Sequence, residues 1–289
     1  MALTGTALAL TGNNSTNAQF RAWGQNVSST INSCGMIQTS DTGQINWATV
    51  TAPAGANTIQ GYEVWRFADA LQASAPVYFK LEYGSGSTAN NPSLNLILGS
   101  GSDGLGNLTG ITMRENAACS GTAGNTTCYV CGDTNRLTLA LFVAGANATA
   151  ASCLVHMLER TVDAAGVLTA EGVLYIGRGT SVWQQQAWNC KTGPMSAQEV
   201  TLGCMGPSIG NGGSGANTSV YPIYHTKGIF LNPGYNMFGG FEANFPANIT
   251  TTFTVYGVSH TYMPMSQVNA SAPVFRTVSS TSNVLLRYD

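Results

Sequence analysis

The stretch VYFKLEY, residues 77–83, alternates between the two sides of an extended chain. Val77, Phe79 and Leu81 fall on one side, with Tyr78 and Lys80 on the other. A period of two is typical of a β-strand with one buried face, because successive side chains point to opposite faces of a sheet. The GSGS that follows ends the run. The stretch therefore predicts a strand.

The surrounding sequence repeats this kind of pattern. YEVWRF (62–67) precedes the stretch across ADALQASAP, which predicts a loop-connected antiparallel pair. Further strands are predicted at residues 93–98, 136–143, 153–161, 172–177, 251–263 and 283–289, with turn-rich segments between them. Many strands, one helix and no βαβ rhythm predict an all-β fold, an antiparallel sandwich or jelly-roll-like body.

One short N-terminal helix is predicted. Thr16 or Asn17 suits its N-cap, and Gly35 follows its end. We expect its apolar face to pack on the main body or on a neighbouring subunit, which makes four residues candidate interface positions. They recur at helical spacing and are Phe20, Trp23, Val27 and Ile31. The predicted organisation is an N-terminal segment and helix at 1–35 and a β-rich body at 36–289. A long polar loop at 113–135 is a candidate subdivision.

The composition excludes several classes of partner. Charged residues make up 8% of the chain, against roughly 25% in an average domain. Eleven Lys and Arg face thirteen Asp and Glu, so we expect neither nucleic acid nor an anionic membrane surface as a partner. The apolar tract 137–158 is interrupted by polar residues, and no membrane span is predicted. A surface of uncharged polar residues suits packing against identical neighbours, because few charges need desolvating.

The segment HMLERTVDAAG (156–166) concentrates ionisable residues and raises the question of an active site. On a strand, His156 and Arg160 face one way and Glu159 the other. Asp163, followed three residues later by Gly166, suits the first and last positions of a β-turn. The pattern therefore predicts a strand that enters a hairpin, and no catalytic residue is assigned.

Other motifs are also interpreted as structural. GSGSDGLG matches GxGxxG literally, but a strand pattern follows where a nucleotide site needs a helix, so a glycine-rich hairpin loop is predicted. His225 and His260 have no catalytic motif around them. Cys128 and Cys131 form a lone CxxC among seven irregularly spaced cysteines. We expect buried thiols, with one or two disulfides as the alternative, and neither a metal nor a cofactor.

Aromatic residues beside polar segments are the candidates for recognition. They serve either to stack on sugars or to anchor a protein interface. The interface interpretation is preferred. The residues are Trp183, Trp188, Tyr221 and Tyr224, with Tyr235 further on.

Five blocks together resemble virion structural proteins of tailed bacteriophages. They are FRAWGQNVSSTINSCGMIQTSDTGQINWATVTAP (20–53), GYEVWRFADALQASAPVYFKLEYGSG (61–86), LNLILGSGSDGLGNLTG (94–110), HMLERTVDAAGVLT (156–169) and NVLLRYD (283–289). The resemblance implies a non-enzymatic virion component present in several copies and assembled in the bacterial host cytoplasm. Its partners would be itself and other virion proteins.

The expected function is that of a tail, fibre or baseplate-associated structural protein acting by symmetric packing. Capsid decoration is the alternative of the same class. The alternative of another class binds or depolymerises a host surface glycan. Such an enzyme needs two carboxylates across a cleft, and the candidates are Asp103, Glu115, Glu159 and Asp163.

Overall fold

The computed structural model describes fifteen stretches of the chain. They are residues 6–10, 16–86, 88–110, 112–115, 126–143, 153–162, 167–178, 183–189, 193–194, 202–204, 220–225, 236–239, 251–255, 258–264 and 283–287, with side chains placed in 16–86, 88–110, 112, 114, 130–139, 156–161, 167–170, 173 and 252. Throughout these stretches the strands pair antiparallel, and one helix accompanies them. The predicted antiparallel β-protein with one short helix is confirmed. Its arrangement as a sandwich or jelly roll stays a prediction.

The helix and the strands of the described residues are numbered in chain order. The helix is α1 (Asn17–Ser33), and the strands are β1 (Thr6–Leu10), β2 (Ile37–Gln38), β3 (Ile59–Arg66), β4 (Tyr78–Ser85), β5 (Pro92–Gly99), β6 (Gly101–Ser102), β7 (Leu108–Thr109), β8 (Met113–Glu115), β9 (Thr126–Asp133), β10 (Arg136–Val143), β11 (Cys153–Val162), β12 (Leu168–Arg178), β13 (Trp183–Asn189), β14 (Gly193–Pro194), β15 (Leu202–Cys204), β16 (Val220–His225), β17 (Asn236–Gly239), β18 (Thr251–Val255), β19 (Val258–Pro264) and β20 (Asn283–Arg287).

The strands form four sheets. A five-stranded sheet has the order β2-β3-β4-β5-β8, and a seven-stranded sheet the order β1-β9-β10-β11-β12-β13-β14. A six-stranded sheet, β15-β16-β17-β20-β19-β18, and the small β6-β7 pair complete the described set. The predicted pair across ADALQASAP is β3 with β4, in which Trp65 lies opposite Phe79. The glycine-rich hairpin predicted at GSGSDGLG is β6 with β7.

Helix α1 begins and ends where the capping residues predict. The Thr16 hydroxyl accepts a hydrogen bond from the Gln19 N–H at 3.2 Å, which satisfies one of the orphan donors of the first turn. Gly35 follows the C-cap residue Cys34 with φ of +92°, the left-handed conformation that ends many helices.

The main error of the sequence interpretation concerns residues 113–135, predicted as a long loop. This segment contains β8, which pairs with β5, and β9, which pairs with β1 and β10. The polar residues around TTCYV hid its β-branched and aromatic content, which suits a strand. Strand β13 was missed for the same reason, because three glutamines separate its tryptophans.

The apolar face of α1 lies in a core that this same chain supplies. Four helix residues belong to one cluster of buried side chains with residues of both the five-stranded and the seven-stranded sheet; they are Phe20 at 0% exposure, Trp23 at 4%, Val27 at 0% and Ile31 at 0%. Trp23 also meets the ring of Tyr83 edge-on, with centroids 5.5 Å apart. Of the two environments predicted for this face, the main body or a neighbouring subunit, the structure shows the main body. Side chains buried this completely cannot contact a second chain while the core is intact, so these four residues are not available as an interface.

Candidate functional site

The described part of HMLERTVDAAG, residues 156–162, lies where the five-stranded and seven-stranded sheets share a core. Its first part belongs to β11, which pairs antiparallel with β12, so the predicted hairpin is confirmed. Asp163 and Gly166 lie outside the described residues. His156 and Arg160 share one face of β11 and Glu159 lies on the other, as predicted, and all three are at 0% exposure. Both faces of β11 are therefore buried, which the alternating pattern did not predict.

Arg160 ties β11 to the loop after β3. Its Nε donates to Asp69 Oδ2 at 2.6 Å, and its Nη1 donates to the Ala75 carbonyl at 3.1 Å. The guanidinium carbon lies 5.6 Å from the centroid of the Phe67 ring. The side chains of this ion pair are 0% and 2% exposed. A buried pair of this kind holds two segments in one register, since losing either partner leaves a desolvated charge.

His156 ties β11 to the five-stranded sheet. Its Nε2–H donates to the Leu94 carbonyl on β5. Burial lowers the pKa of His156 to about 4, and the hydrogen bond to Leu94 opposes that shift only in part. The imidazole is therefore neutral at physiological pH. It is held as a hydrogen-bond donor and is poorly placed to accept a proton from a substrate.

Glu159 faces the opposite side of the sheet. In the strand register its Cα lies opposite Arg136 of β10 and Leu174 of β12. Arg136 is also at 0% exposure, so this cross-strand pair of opposite charges lies in the interior. The segment thus places its charged residues in two separate interior environments, one on each face of β11.

Another buried carboxylate, that of Glu63 on β3, lies among the aromatic side chains that contact the helix. Its oxygens accept hydrogen bonds from Tyr83 Oη at 2.7 Å, Trp47 Nε1 at 2.8 Å and Trp65 Nε1 at 3.3 Å. Three donors on one carboxylate at 1% exposure compensate for much of its desolvation. The Trp47 ring also packs edge-on against Phe20 and Tyr83. Glu63 therefore fixes the orientation of the aromatic side chains on which α1 rests.

Two loops beside the five-stranded sheet are joined by hydrogen bonds around the buried carboxylate of Asp41. Asp41 accepts hydrogen bonds from Ser102 and Thr39 and from the Gly106 N–H. Burial works to raise the pKa of Asp41, but these hydrogen bonds hold it below its usual value. The Tyr62 hydroxyl also joins the loops, because it donates to the Thr42 carbonyl at 2.8 Å.

The tip of the second loop is equally constrained. Asp103 accepts from the Asn107 side-chain amide at 2.8 Å and from the Leu105 N–H at 2.7 Å, and these bonds lower the pKa of Asp103. Its carboxylate is engaged by its own loop. Leu105 is 66% exposed at the tip.

An ion-pair cluster lies on the outward face of the five-stranded sheet. Glu82 bonds Arg114 Nη2 at 2.5 Å and lies 3.5 Å from Lys80 Nζ. The ammonium group of Lys80 sits 4.1 Å from the centroid of the Tyr62 ring. The single carboxylate of Glu82 thus faces two cations, one of which, Arg114, has a side chain that is 47% exposed.

The other predicted residues lie on described strands or outside the described residues. Trp183 and Trp188 lie on β13, and Tyr221 and Tyr224 on β16. His225 and His260 lie on β16 and β19, and Glu115 on β8. The side chains of all seven, and Tyr235 entirely, lie outside the described residues. Of the carboxylates considered for glycan cleavage, Asp103 is on a surface loop and Glu159 is buried, so the structure does not bring these two into one open cleft.

Sequence reasoning missed the polar residues that organise the interior. Nothing local distinguishes Glu63, Asp69 or Asp41 from surface carboxylates. The burial of Glu63 could have been predicted, because Glu63 and Trp65 are two positions apart on one strand and point to the same face of the sheet. A carboxylate on the core face of a sheet needs hydrogen-bond donors in the interior. Asp69 and Asp41 lie in loops, where no face is defined.

Comparison with protein-family models, with curated proteins and with solved structures finds no significant match to this chain. Among the described residues, no cluster of three or more His, Cys, Asp or Glu side chains suits a metal ion. Within the same described part of the chain, no helix is long and apolar enough to cross a membrane.

Proposed function

We propose that this protein is a structural component of a tailed-phage virion, associated with the tail, fibre or baseplate, and that it acts by symmetric packing. The proposal combines the sequence resemblance with one structural observation. Of eleven cationic and thirteen acidic residues in the chain, at least six are buried; they are Asp41, Glu63, Glu82, Arg136, Glu159 and Arg160. The surface is consequently even poorer in charge than the composition suggests.

A surface poor in charge favours protein–protein contact. Burying a charged side chain in an interface requires desolvation that a new partner must offset, whereas Ser, Thr, Asn and Gln form interfacial hydrogen bonds at lower cost. Repeated copies of one chain present the same neutral patch to each other, which is the requirement of closed symmetric assembly. The interior ion pairs supply rigidity to each copy.

The finer architecture belongs to the same proposal. One core includes Leu81 and Leu96 of the five-stranded sheet together with Leu139 and Leu158 of the seven-stranded sheet. We propose that these sheets form the two layers of a sandwich or jelly-roll-like body. In that arrangement the outward faces of the sheets are the surfaces available to neighbours.

The mass of the purified chain in solution, measured by light scattering, tests the proposal. A defined trimer or hexamer is expected for a fibre, collar or baseplate element with its own symmetry. A monomer at all concentrations would contradict self-assembly and favour the decoration alternative, in which the chain orders only on a capsid.

Binding or cleavage of a host glycan is the second candidate. The tryptophans of β13 and the tyrosines of β16 are its only support. Incubation with capsular polysaccharide, followed by an assay for new reducing ends, separates this candidate from the first. Cleavage that is lost in both Glu115→Gln and Asp163→Asn, the two candidates that the described geometry does not separate, would replace the structural proposal with an enzymatic one.

A further inference from the structure

The peptide bond between Asp103 and Gly104 lies at the solvent-exposed tip of the β6–β7 hairpin. Both residues are exposed, and a Cβ placed on Gly104 would meet no heavy atom within 4 Å. In an aspartate–glycine pair the backbone nitrogen of the glycine reaches the aspartate carboxyl carbon most easily, because glycine has no side chain in the way. The hairpin therefore presents to water a bond that is open to chemical rearrangement.

The rearrangement converts aspartate to isoaspartate and needs no reagent besides water. The Gly104 nitrogen attacks the protonated side-chain carboxyl carbon of Asp103, a new C–N bond closes a cyclic imide, and the carboxyl hydroxyl leaves with the amide proton as water. Water then adds to the imide. Addition at the side-chain carbonyl restores aspartate, whereas addition at the main-chain carbonyl breaks the original peptide bond and leaves the chain joined through the side chain. The product has the same mass as the starting protein.

Hydrogen bonds hold the Asp103 carboxylate back from this reaction. Its Oδ1 accepts from the Leu105 N–H at 2.7 Å and from the Asn107 N–H at 3.0 Å, and its Oδ2 accepts from Asn107 Nδ2 at 2.8 Å. The bond from the Asn107 side chain is the largest of the causes that lower the pKa of Asp103. The carboxyl group therefore stays ionised at neutral pH, and its negative charge opposes attack by a nucleophile.

The attacking group, the Gly104 peptide unit, is anchored as well. The Gly104 carbonyl accepts from the Thr42 N–H at 2.9 Å, and the Gly104 N–H donates to Ser102 Oγ at 3.3 Å. The next carbonyl along the chain, that of Leu105, accepts from the Tyr62 hydroxyl at 3.2 Å. Ring closure requires the Gly104 peptide unit to turn toward the preceding side chain, so these contacts must open first.

We propose that Asp103 is a site of spontaneous isoaspartate formation, that opening of the hairpin sets its rate, and that the Asn107 side chain suppresses it. The modification routes the main chain through the side-chain carbons of Asp103 and displaces the Gly104 carbonyl from Thr42. It thereby separates the two loops that the Asp41 carboxylate joins. The proposal rests on the contacts of the hairpin and is independent of the proposed virion function.

The test incubates the native full-length protein at neutral pH, below its thermal midpoint, beside a synthetic peptide of residues 99–110 that lacks the second loop. Trypsin cleavage after Lys80 and Arg114 then releases Asp103 in one peptide. Its isoaspartate form separates by chromatography at unchanged mass and is identified by electron-transfer fragmentation. We expect the native protein to react at least about tenfold more slowly than the synthetic peptide, because several hydrogen bonds must open first.

Asn107→Ala removes the side-chain donor and keeps the backbone N–H of residue 107. We expect this variant to form isoaspartate about fivefold faster than wild type, since a hydrogen bond of about 1 kcal/mol changes a rate by that factor. Asn46→Ala is the matched control, because Asn46 is also an exposed loop asparagine but bonds the Ala48 N–H, outside the hairpin. It should react at the wild-type rate.

Three results would overturn the proposal. They are a native protein that reacts as fast as the synthetic peptide, a folded Asn107→Ala variant that reacts at the wild-type rate, and equal acceleration in Asn107→Ala and Asn46→Ala. Thermal unfolding shows whether each variant is folded. The comparison of wild-type protein with the peptide needs no variant, so it tests the proposal even if Asn107→Ala fails to fold.

Discussion

Replacing Arg160 should destabilise the protein far more than replacing Arg114, although the ion pairs of the two arginines have nearly the same length. The Arg160–Asp69 pair spans 2.6 Å at 0% and 2% exposure, and the Arg114–Glu82 pair spans 2.5 Å with Arg114 47% exposed. Arg160→Met leaves a buried carboxylate without its cation, which costs about 3–5 kcal/mol. Arg114→Met exposes Glu82 to more water and should cost at most about 1 kcal/mol.

Urea unfolding, followed by tryptophan fluorescence, measures both costs. With an m-value of about 3 kcal/mol/M, Arg160→Met should lower the urea midpoint of unfolding by about 1–2 M. Arg114→Met should lower the same midpoint by about 0.3 M at most. Asp69→Asn tests the pair from the other side, because its amide would face Arg160 Nε donor to donor while its oxygen still accepts from Leu71.

The double variant Arg160→Met with Asp69→Asn completes a thermodynamic cycle. It should cost less than the sum of the single variants by about 2 kcal/mol or more, since the second change removes the uncompensated charge. Additive costs, or equal midpoints for Arg160→Met and Arg114→Met, would refute the argument that burial makes this pair matter.

Three further predictions concern groups elsewhere in the described fold. Glu63→Gln should cost about 1–3 kcal/mol of unfolding free energy, because an amide nitrogen would face donors, and urea titration measures this. Because the pKa of His156 is lowered to about 4 in the folded state, the unfolded chain binds more protons between pH 6.5 and 4. The free energy of unfolding should therefore fall by about 3 kcal/mol as the pH drops from 6.5 to 4. The variant His156→Gln should show a smaller decline in unfolding curves measured over the same pH range. Gly84→Ala should impair folding because the new Cβ would lie 2.1 Å from the Thr58 carbonyl oxygen. In Gly104→Ala the new Cβ meets nothing within 4 Å, so this variant should lose only about 1 kcal/mol of unfolding free energy through its φ of +79°. Comparable thermal midpoints for the two variants would contradict the steric argument.

The elements with a strict local pattern were predicted well. Strand β10 was placed at its observed bounds, β4 within two residues, and α1 with the correct cap and terminating glycine. In each of these the deciding information is a periodicity or a capping residue, which the chain carries over a few neighbouring positions. Strands β9 and β13 escaped prediction because polar residues interrupt their patterns, and pairing with long neighbours decides their conformation.

The interior polar contacts could not be predicted in the same way. Arg160 finds Asp69 across 91 residues of sequence, His156 finds Leu94 across 62, and Asp41 finds Ser102 across 61. Each contact depends on the register and stacking of separate sheets, which no local pattern encodes. From the segment at 156–166 the sequence determined a strand, its two faces and the hairpin. Only the tertiary structure decided that both faces are buried and which groups the charges meet, because burial depends on which segments cover the strand.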